Sequence, residues 1–269
     1  MPFLALVKRS AAQMRYAIVG SLALTFGLQL VLVGQAVSIQ EAQSFASVAS
    51  LIPNFIGRGL GGDALLLASF KGTVILGYFH PVLCVLLPAI AMYAATEPAH
   101  EIESGLVDVV LARSMPRAVV LTRSLTVGVL YSLAGISAMA LGTYAGVLLF
   151  DAARYDLPTV NLIGRLLTHV FAVCCCFTGF GLFAGVLSRR WATAFTTGVL
   201  AAVCAYLVDF LALGWPVLRW AAYLSPYRYY HALAIASGTA WEPRDYVVLF
   251  GAAIAFTAAA YWQFQRRDL

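Results

Sequence analysis

The residues best suited to chemistry form one polar stretch, residues 97–117, within an otherwise apolar sequence. Acidic side chains come first and basic ones follow, an order that complements the dipole of a helix. Apolar residues alternate with the charged ones, which predicts an amphipathic helix along the inner face of a membrane, ended or bent at Pro116. The charges could then bind a groove in a partner protein, or touch only lipid headgroups. The candidate docking residues are Glu97, Glu101, Glu103, Gly105, Leu106, Asp108, Leu111, Arg113 and Arg117.

A second set of candidates lies inside the apolar segments. His80 and Pro81 stand near the outer end of the second segment, and Pro88 lies in its middle. Proline removes a backbone hydrogen bond and usually kinks a membrane helix, so this segment is a candidate gate or translocation path, although kinks also occur in static bundles. Asp209 is an ionisable residue in the fifth segment. A charge at such a position indicates function, and a snorkelling or paired aspartate is the alternative.

The sequence lacks the patterns of several common catalytic sites. It has no Gly-x-x-x-x-Gly-Lys-Ser/Thr, so we expect no ATP to bind this chain through a phosphate loop. His100-Glu101 begins a zinc-protease pattern, but no second histidine follows at the required spacing, and no Gly-x-Ser-x-Gly nucleophile elbow occurs. We therefore predict no catalytic residue, no metal site and no cofactor in this chain.

The elements that position these residues are predicted from composition. Hydrophobic residues make up 62% of the 269 positions and charged residues 11%, against about 45–50% and about 25% in soluble proteins. This excludes a water-soluble globular domain, a disordered chain and a disulfide scaffold. Since a membrane-spanning helix needs about 20 apolar residues, we predict one all-α transmembrane domain over residues 1–269. Its six spans are 16–37, 74–95, 125–150, 166–187, 191–213 and 246–264.

The charge distribution predicts the orientation of the spans. The net charge is +5, and a cytoplasmic N-terminus would put a modest majority of the 17 lysines and arginines inside, as the positive-inside rule requires. Both termini and residues 97–117 would then be cytoplasmic. Residues 214–245 would lie outside and are rich in tyrosine and tryptophan, which predicts interfacial helices before the sixth span. This basic balance indicates contact with membrane lipid, and we expect no nucleic-acid partner.

Glycines in the third and fourth spans favour close helix packing. The third span carries Gly128, Gly135, Gly142 and Gly146. Small residues at such spacings let helix backbones approach each other. We favour packing within the chain, with a dimer seam as the alternative.

The polar stretch resembles the first cytoplasmic segment of type-two ATP-binding-cassette (ABC) exporter permeases, which usually reads Glu-x-Glu-x-Gly-Thr-x-Glu-x-Leu-Leu-Ala/Ser-x-Pro-Val-Ser-Arg. The matching residues are Glu101, Glu103, Gly105, Asp108, Leu111, Ala112 and Arg117. The chain departs from the pattern at Leu106, Ser114 and Pro116. His80-Pro81, the sequence Leu-Ser-Pro-Tyr-Arg-Tyr-Tyr at 224–230 and the ending Phe-Gln-Arg-Arg-Asp-Leu at 264–269 are also similar to elements of this family.

The resemblance implies a permease subunit of an ABC exporter in a prokaryotic inner or plasma membrane. Two permease chains, identical or different, would pair, and each would seat one ATPase subunit that binds ATP and Mg²⁺. Residues 97–117 would form the coupling helix, which transmits the motion of the ATPase to the spans. The mostly apolar spans favour an amphipathic or lipid-like cargo.

Two other functions remain open for this sequence. A polytopic membrane enzyme, such as a lipid-modifying transferase or protease, would need polar residues clustered at one membrane depth, and its purified chain would be active alone. A subunit for membrane assembly or sensing would need no ATPase encoded beside it.

Overall fold

A computed structural model describes residues 2–45, 69–106, 116–238 and 243–266, and every regular element in those ranges is helical. Three short 3₁₀ turns lie at Ala152–Arg154, Pro216–Leu218 and Pro226–Tyr229. The α-helices are α1 (Pro2–Gln13), α2 (Arg15–Glu41), α3 (Phe70–Phe79), α4 (Pro81–Ala95), α5 (Glu97–Glu103), α6 (Arg117–Leu149), α7 (Val160–Leu187), α8 (Trp191–Ala212), α9 (Arg219–Ala222), α10 (Ala232–Ala236) and α11 (Pro243–Arg266).

Within the described ranges, six helical segments are long and apolar enough to cross a membrane, which confirms the predicted number of spans. They are α2, α3 with α4, α6, α7, α8 and α11. By length and composition the chain is therefore a multi-pass membrane protein. The side on which its termini lie stays a prediction.

Five of the six spans begin earlier than hydropathy predicts, and the third and fourth do so by the widest margin. The third begins at Arg117 and not at 125, and the fourth begins at Val160 and not at 166. The hydroxyl of Thr159 accepts a hydrogen bond from the backbone N–H of Leu162 and so caps the fourth span. Apolar runs mark only the part of a helix suited to lipid, whereas the helix itself extends to its caps.

The fourth span, α7, forms the centre of the bundle. It packs against α11, α4, α6 and α8, and its central part is the most buried of the six spans. Where α6 packs against α2, two glycines of α6 lie at the contact. A Cβ atom on Gly146 would stand 2.8 Å from Cβ of Val33, and Gly142 lies against the backbone of Phe26. These two glycines therefore serve packing within the chain.

The two ends of the bundle carry different polar features. At one end, called the elbow end, lie α1, α5, the turn between α7 and α8, and the end of α11. The hydroxyls of Thr122 on α6 and Tyr261 on α11 are 2.7 Å apart there. At the opposite end, called the tyrosine end, lie residues 213–238, and Arg154 pairs there with Glu41 at 2.7 Å.

Candidate functional site

The candidate docking segment begins as the short helix α5, with Pro98 in its first turn, a position that favours helix initiation. α5 ends at Glu103, and Gly105 has a φ of +69°, a left-handed conformation that favours glycine. Because the helix stops at Glu103 and the chain turns at Ser104 and Gly105, the described part of the segment is not the single helix that its pattern predicts. Arg117 starts α6. Asp108, Leu111 and Arg113 lie outside the described residues.

A buried ion cluster fastens α5 to α6 and α1. Arg123 donates two hydrogen bonds to Glu101, from Nη1 to Oε1 at 2.8 Å and from Nη2 to Oε2 at 3.0 Å. Nη2 of Arg123 also stands 3.5 Å from Oε2 of Glu97. The hydroxyl of Ser10 on α1 donates to Oε1 of Glu97 at 2.8 Å. One guanidinium therefore forms ion pairs with two carboxylates, and three helices meet at this ion cluster.

A docking helix is expected to expose its acidic side chains, but burial removes Glu97 and Glu101 from the surface. Glu101 is 4% exposed and Arg123 1% exposed. Burial raises the pKa of Glu97, while the charge of Arg123 and the hydrogen bond from Ser10 oppose that rise. Glu97 and Glu101 thus hold together α5, the end of α4 and the start of α6, a unit that we call the elbow. The exposed residues on the described part of the segment, which are left for a partner, are His100, Glu103, Ser104, Gly105 and Pro116.

Sequence reasoning did not include Arg123 among the site residues, although a signal for it existed. Glu97 and Glu101 are four positions apart, so a helix places them on the same face, where two like charges destabilise each other. Such a pair needs a cation when it is buried. Arg123 lies near the start of the third span and supplies that charge.

Glu103 connects the elbow to the fifth span. Its Oε2 atom accepts a 2.8 Å hydrogen bond from the backbone N–H of Trp191, the first residue of α8. A carboxylate at this position satisfies a free N–H group and interacts favourably with the helix dipole. The elbow therefore touches the second, third and fifth spans together.

At the tyrosine end, the second span is broken at His80. α3 ends at Phe79 and α4 begins at Pro81, while His80 between them has φ −58° and ψ 130°. The backbone N–H of Val82 donates to Nδ1 of His80 at 3.3 Å. The carbonyl of Tyr78, four residues before Val82, therefore lacks its usual donor within the helix.

Two tyrosines supply the donors that this span lacks. The hydroxyl of Tyr230 donates to the carbonyl of Tyr78 at 3.1 Å. Pro88 has no N–H and leaves the carbonyl of Cys84 free, and the hydroxyl of Tyr227 donates to that carbonyl at 2.7 Å. Burial raises the pKa of both phenols well above the usual range, so they remain donors. We call Tyr227 and Tyr230 the tyrosine clamp.

The sequence Leu-Ser-Pro-Tyr-Arg-Tyr-Tyr at 224–230 positions this clamp. The Ser225 hydroxyl donates to the carbonyl of Ala205 on α8 at 2.8 Å and accepts from the N–H of Tyr227 at 3.2 Å. Pro226 then starts the 3₁₀ turn that carries Tyr227. The motif was predicted to lie at the membrane interface, but only the tertiary structure brings its tyrosines to the breaks around Pro81 and Pro88.

Asp209 is half-buried on α8, one turn beyond Tyr206. The ring of Tyr206 stands edge-on to the clamp residue Tyr227, with centroids 5.4 Å apart. The predicted gate residues His80, Pro81 and Pro88 thus share one region through the clamp, whereas Asp209 lies on its flank.

No family model, no curated protein and no solved structure matches this chain.

Proposed function

We propose that this chain is the membrane-spanning subunit of an ATP-driven exporter, as its resemblance to type-two ABC permeases implies. The observation that carries the proposal is the position of Glu103. This exposed residue ends α5, holds the first N–H of α8 and follows the buried Glu101–Arg123 pair by two residues. A displacement applied at Glu103 by a partner would pass to three spans.

The ion cluster makes the elbow suited to transmitting force. Breaking a buried, bidentate ion pair by removing one partner costs about 3–5 kcal/mol, so α5 and α6 would move as one unit rather than separate. Glu103 adds a charge-assisted hydrogen bond to α8, which is exposed and weaker. The elbow would therefore drive the third span directly and the fifth span through an exchangeable contact.

The tyrosine end offers a place where the second span can bend. α4 runs from the break at His80 to Ala95, just before the elbow. Because the clamp hydroxyls hold the carbonyls of Tyr78 and Cys84 from outside the helix, these bonds can break and reform without unwinding it. In the proposed cycle, elbow motion tilts α4 about this break, and the clamp favours one of the two positions.

The other components of the proposed transporter follow from the resemblance. ATP and Mg²⁺ would bind on a separate ATPase subunit, two copies of which would meet two permease chains. The spans of the paired permease chains would form the translocation path. The cargo would be amphipathic or lipid-like.

Co-purification from the native membrane tests the proposal. We expect a tagged chain in mild detergent to retain a second polypeptide that carries a phosphate loop, in a complex of two permeases and two ATPases. We expect that complex, and not the chain alone, to hydrolyse ATP. Hydrolysis by the purified chain alone at transporter-like rates would overturn the proposal. A catalytic activity on lipid or peptide by the isolated chain would favour a membrane enzyme instead.

A further inference from the structure

A pocket of ≈ 280 Å³ lies beside the ion cluster, at the elbow end of the bundle. It is lined by the end of α1, the end of the second span, α5 and the first residue of α8. Ligand pockets for drug-sized molecules begin at about 300 Å³, so this pocket suits a headgroup rather than a whole amphiphile. Its lining residues are Gln13, Met14, Tyr93, Glu97, His100 and Trp191.

Three of the six lining residues carry aromatic rings. Tyr93 stands edge-on to Trp191, with ring centroids 5.2 Å apart, and His100 stands 6.3 Å from Trp191. The negative faces of tyrosine and tryptophan rings attract ammonium groups, and aromatic cages of this kind recognise quaternary ammonium ligands.

Glu97, also in the lining, carries a carboxylate whose charge is incompletely balanced. Arg123 forms both of its short contacts with Glu101, and only its longer 3.5 Å contact reaches Glu97. Oε2 of Glu97 is buried and has no hydrogen-bond donor. Arg9 also attracts Glu97, but Arg9 is exposed and water screens its charge. Two carboxylates thus share one buried guanidinium, which leaves a net negative charge beside the pocket.

We propose that this pocket binds the ammonium headgroup of an amphiphilic organic cation, with Glu97 balancing its charge and Tyr93 and Trp191 providing ring faces. The position of α8 indicates where the apolar tail lies. Phe195 stacks on Trp191, with centroids 5.5 Å apart and planes 4° from parallel, one turn further along the fifth span. A tail that leaves the pocket beside Phe195 runs along α8 into the lipid.

The site is independent of the proposed transport function, because binding needs only this chain. The shared chemistry is an ammonium group on an apolar tail. It has two sources, the headgroup of a zwitterionic membrane lipid or a mobile cationic amphiphile without a phosphate.

Native mass spectrometry of the full chain, released from nonionic detergent without any ATPase, tests the proposal. The probes are dodecyltrimethylammonium and its neutral isostere, in which carbon replaces the quaternary nitrogen. We expect the wild type to bind the cation about tenfold more tightly than the isostere, since charge-assisted and cation–π contacts require the positive charge. Equal binding of the two probes would overturn the proposal.

Variants locate the binding. Glu97→Gln keeps an acceptor for Ser10 and should weaken binding of the cation about tenfold, leaving the neutral isostere unchanged. Trp191→Leu keeps an apolar side chain in the pocket and leaves the ion cluster unchanged. It should weaken binding of the cation about threefold to tenfold. The matched controls are Glu41→Gln and Trp215→Leu, both exposed at the tyrosine end, and they should bind as the wild type does. Unchanged cation binding in both pocket variants, at wild-type unfolding temperature, would contradict the site.

Competition distinguishes the two sources. If dodecylphosphocholine displaces the cation as well as unlabelled dodecyltrimethylammonium does, the pocket accepts a lipid headgroup. If only the phosphate-free cation displaces the probe, the ligand is a mobile cationic amphiphile. Both results support ammonium recognition, and displacement by the neutral isostere at equal concentration argues against it.

Discussion

The hydroxyl of Tyr227 donates a 2.7 Å hydrogen bond to the carbonyl of Cys84, which Pro88 leaves without its usual donor inside α4. The two residues are 143 positions apart in the sequence. A buried carbonyl in a membrane-spanning segment finds no water, so a proline there needs such an external donor. The Pro88 kink and Tyr227 are therefore one structural unit.

We expect Tyr227→Phe to destabilise the chain by about 1–3 kcal/mol, the cost of leaving a buried acceptor unsatisfied. Thermal unfolding in detergent measures it. In a Pro88→Ala background, the N–H of residue 88 can bond to Cys84, so the same change should cost clearly less. Tyr229→Phe, whose hydroxyl bonds to the Tyr223 carbonyl at an exposed site, is the control and should have little effect. If Tyr227→Phe costs the same in the wild type and in the Pro88→Ala background, Tyr227 does not replace the donor that Pro88 lacks.

Glu101→Ala should destabilise the chain by about 3–5 kcal/mol, because it leaves the guanidinium of Arg123 buried beside a single, more distant carboxylate. The matched control is Glu41→Ala, which breaks the exposed pair with Arg154 and should cost about 0–1 kcal/mol. Denaturation of both variants in the same detergent compares them. Similar losses in the two variants would show that burial of the ion cluster contributes nothing.

The burial of Glu97 predicts a pH dependence of stability. Because the pKa of Glu97 is raised in the folded chain, the stability that this shift contributes is fully present below the pKa of Glu97 in the unfolded chain, about 4.3. It is lost as the pH rises through the folded value. Glu97→Gln should therefore lose less unfolding free energy than the wild type when the pH rises from about 4 through that window. Parallel pH curves of the two proteins would contradict the shift, and Glu41→Gln is the control.

The proposed docking role predicts an effect on coupling. Glu103→Lys combined with Asp108→Lys should impair ATPase binding or uncouple hydrolysis from transport, while membrane insertion stays normal. Glu103 is exposed, and exposed charges contribute little to stability. Co-purification and ATP-driven transport measure the effect, with Glu41→Lys at the tyrosine end as the control. Wild-type assembly and transport in the double variant would refute the docking role without affecting the six-span architecture.

The orientation of the spans predicts a labelling pattern. In a chain from which the native cysteines have been removed, single cysteines at Ser44 and Thr159 should react with a membrane-impermeant reagent from outside intact cells. A cysteine at Ser104 should be protected. Labelling at Ser104 under these conditions would reverse the predicted topology.

The sequence alone predicts the six spans and a kinked second span, because both depend on local properties. Apolar runs of sufficient length mark segments that lipid can surround, whatever packs beside them. His80-Pro81 and Pro88 fix where α3 and α4 lose backbone bonds, since proline has no N–H in any context. The glycines of the third span similarly predict close packing, and two of them contact α2.

Only the tertiary structure decides which polar groups meet. The pattern of residues 97–117 predicts an exposed helix, yet Glu97 and Glu101 turn inward because Arg123, on another helix, lies opposite them. The donors for the interrupted span come from residues 227 and 230, far along the chain. Hydropathy and local spacing carry no information about such pairs, because the energy of a buried charge or carbonyl depends on the partner that packing brings to it.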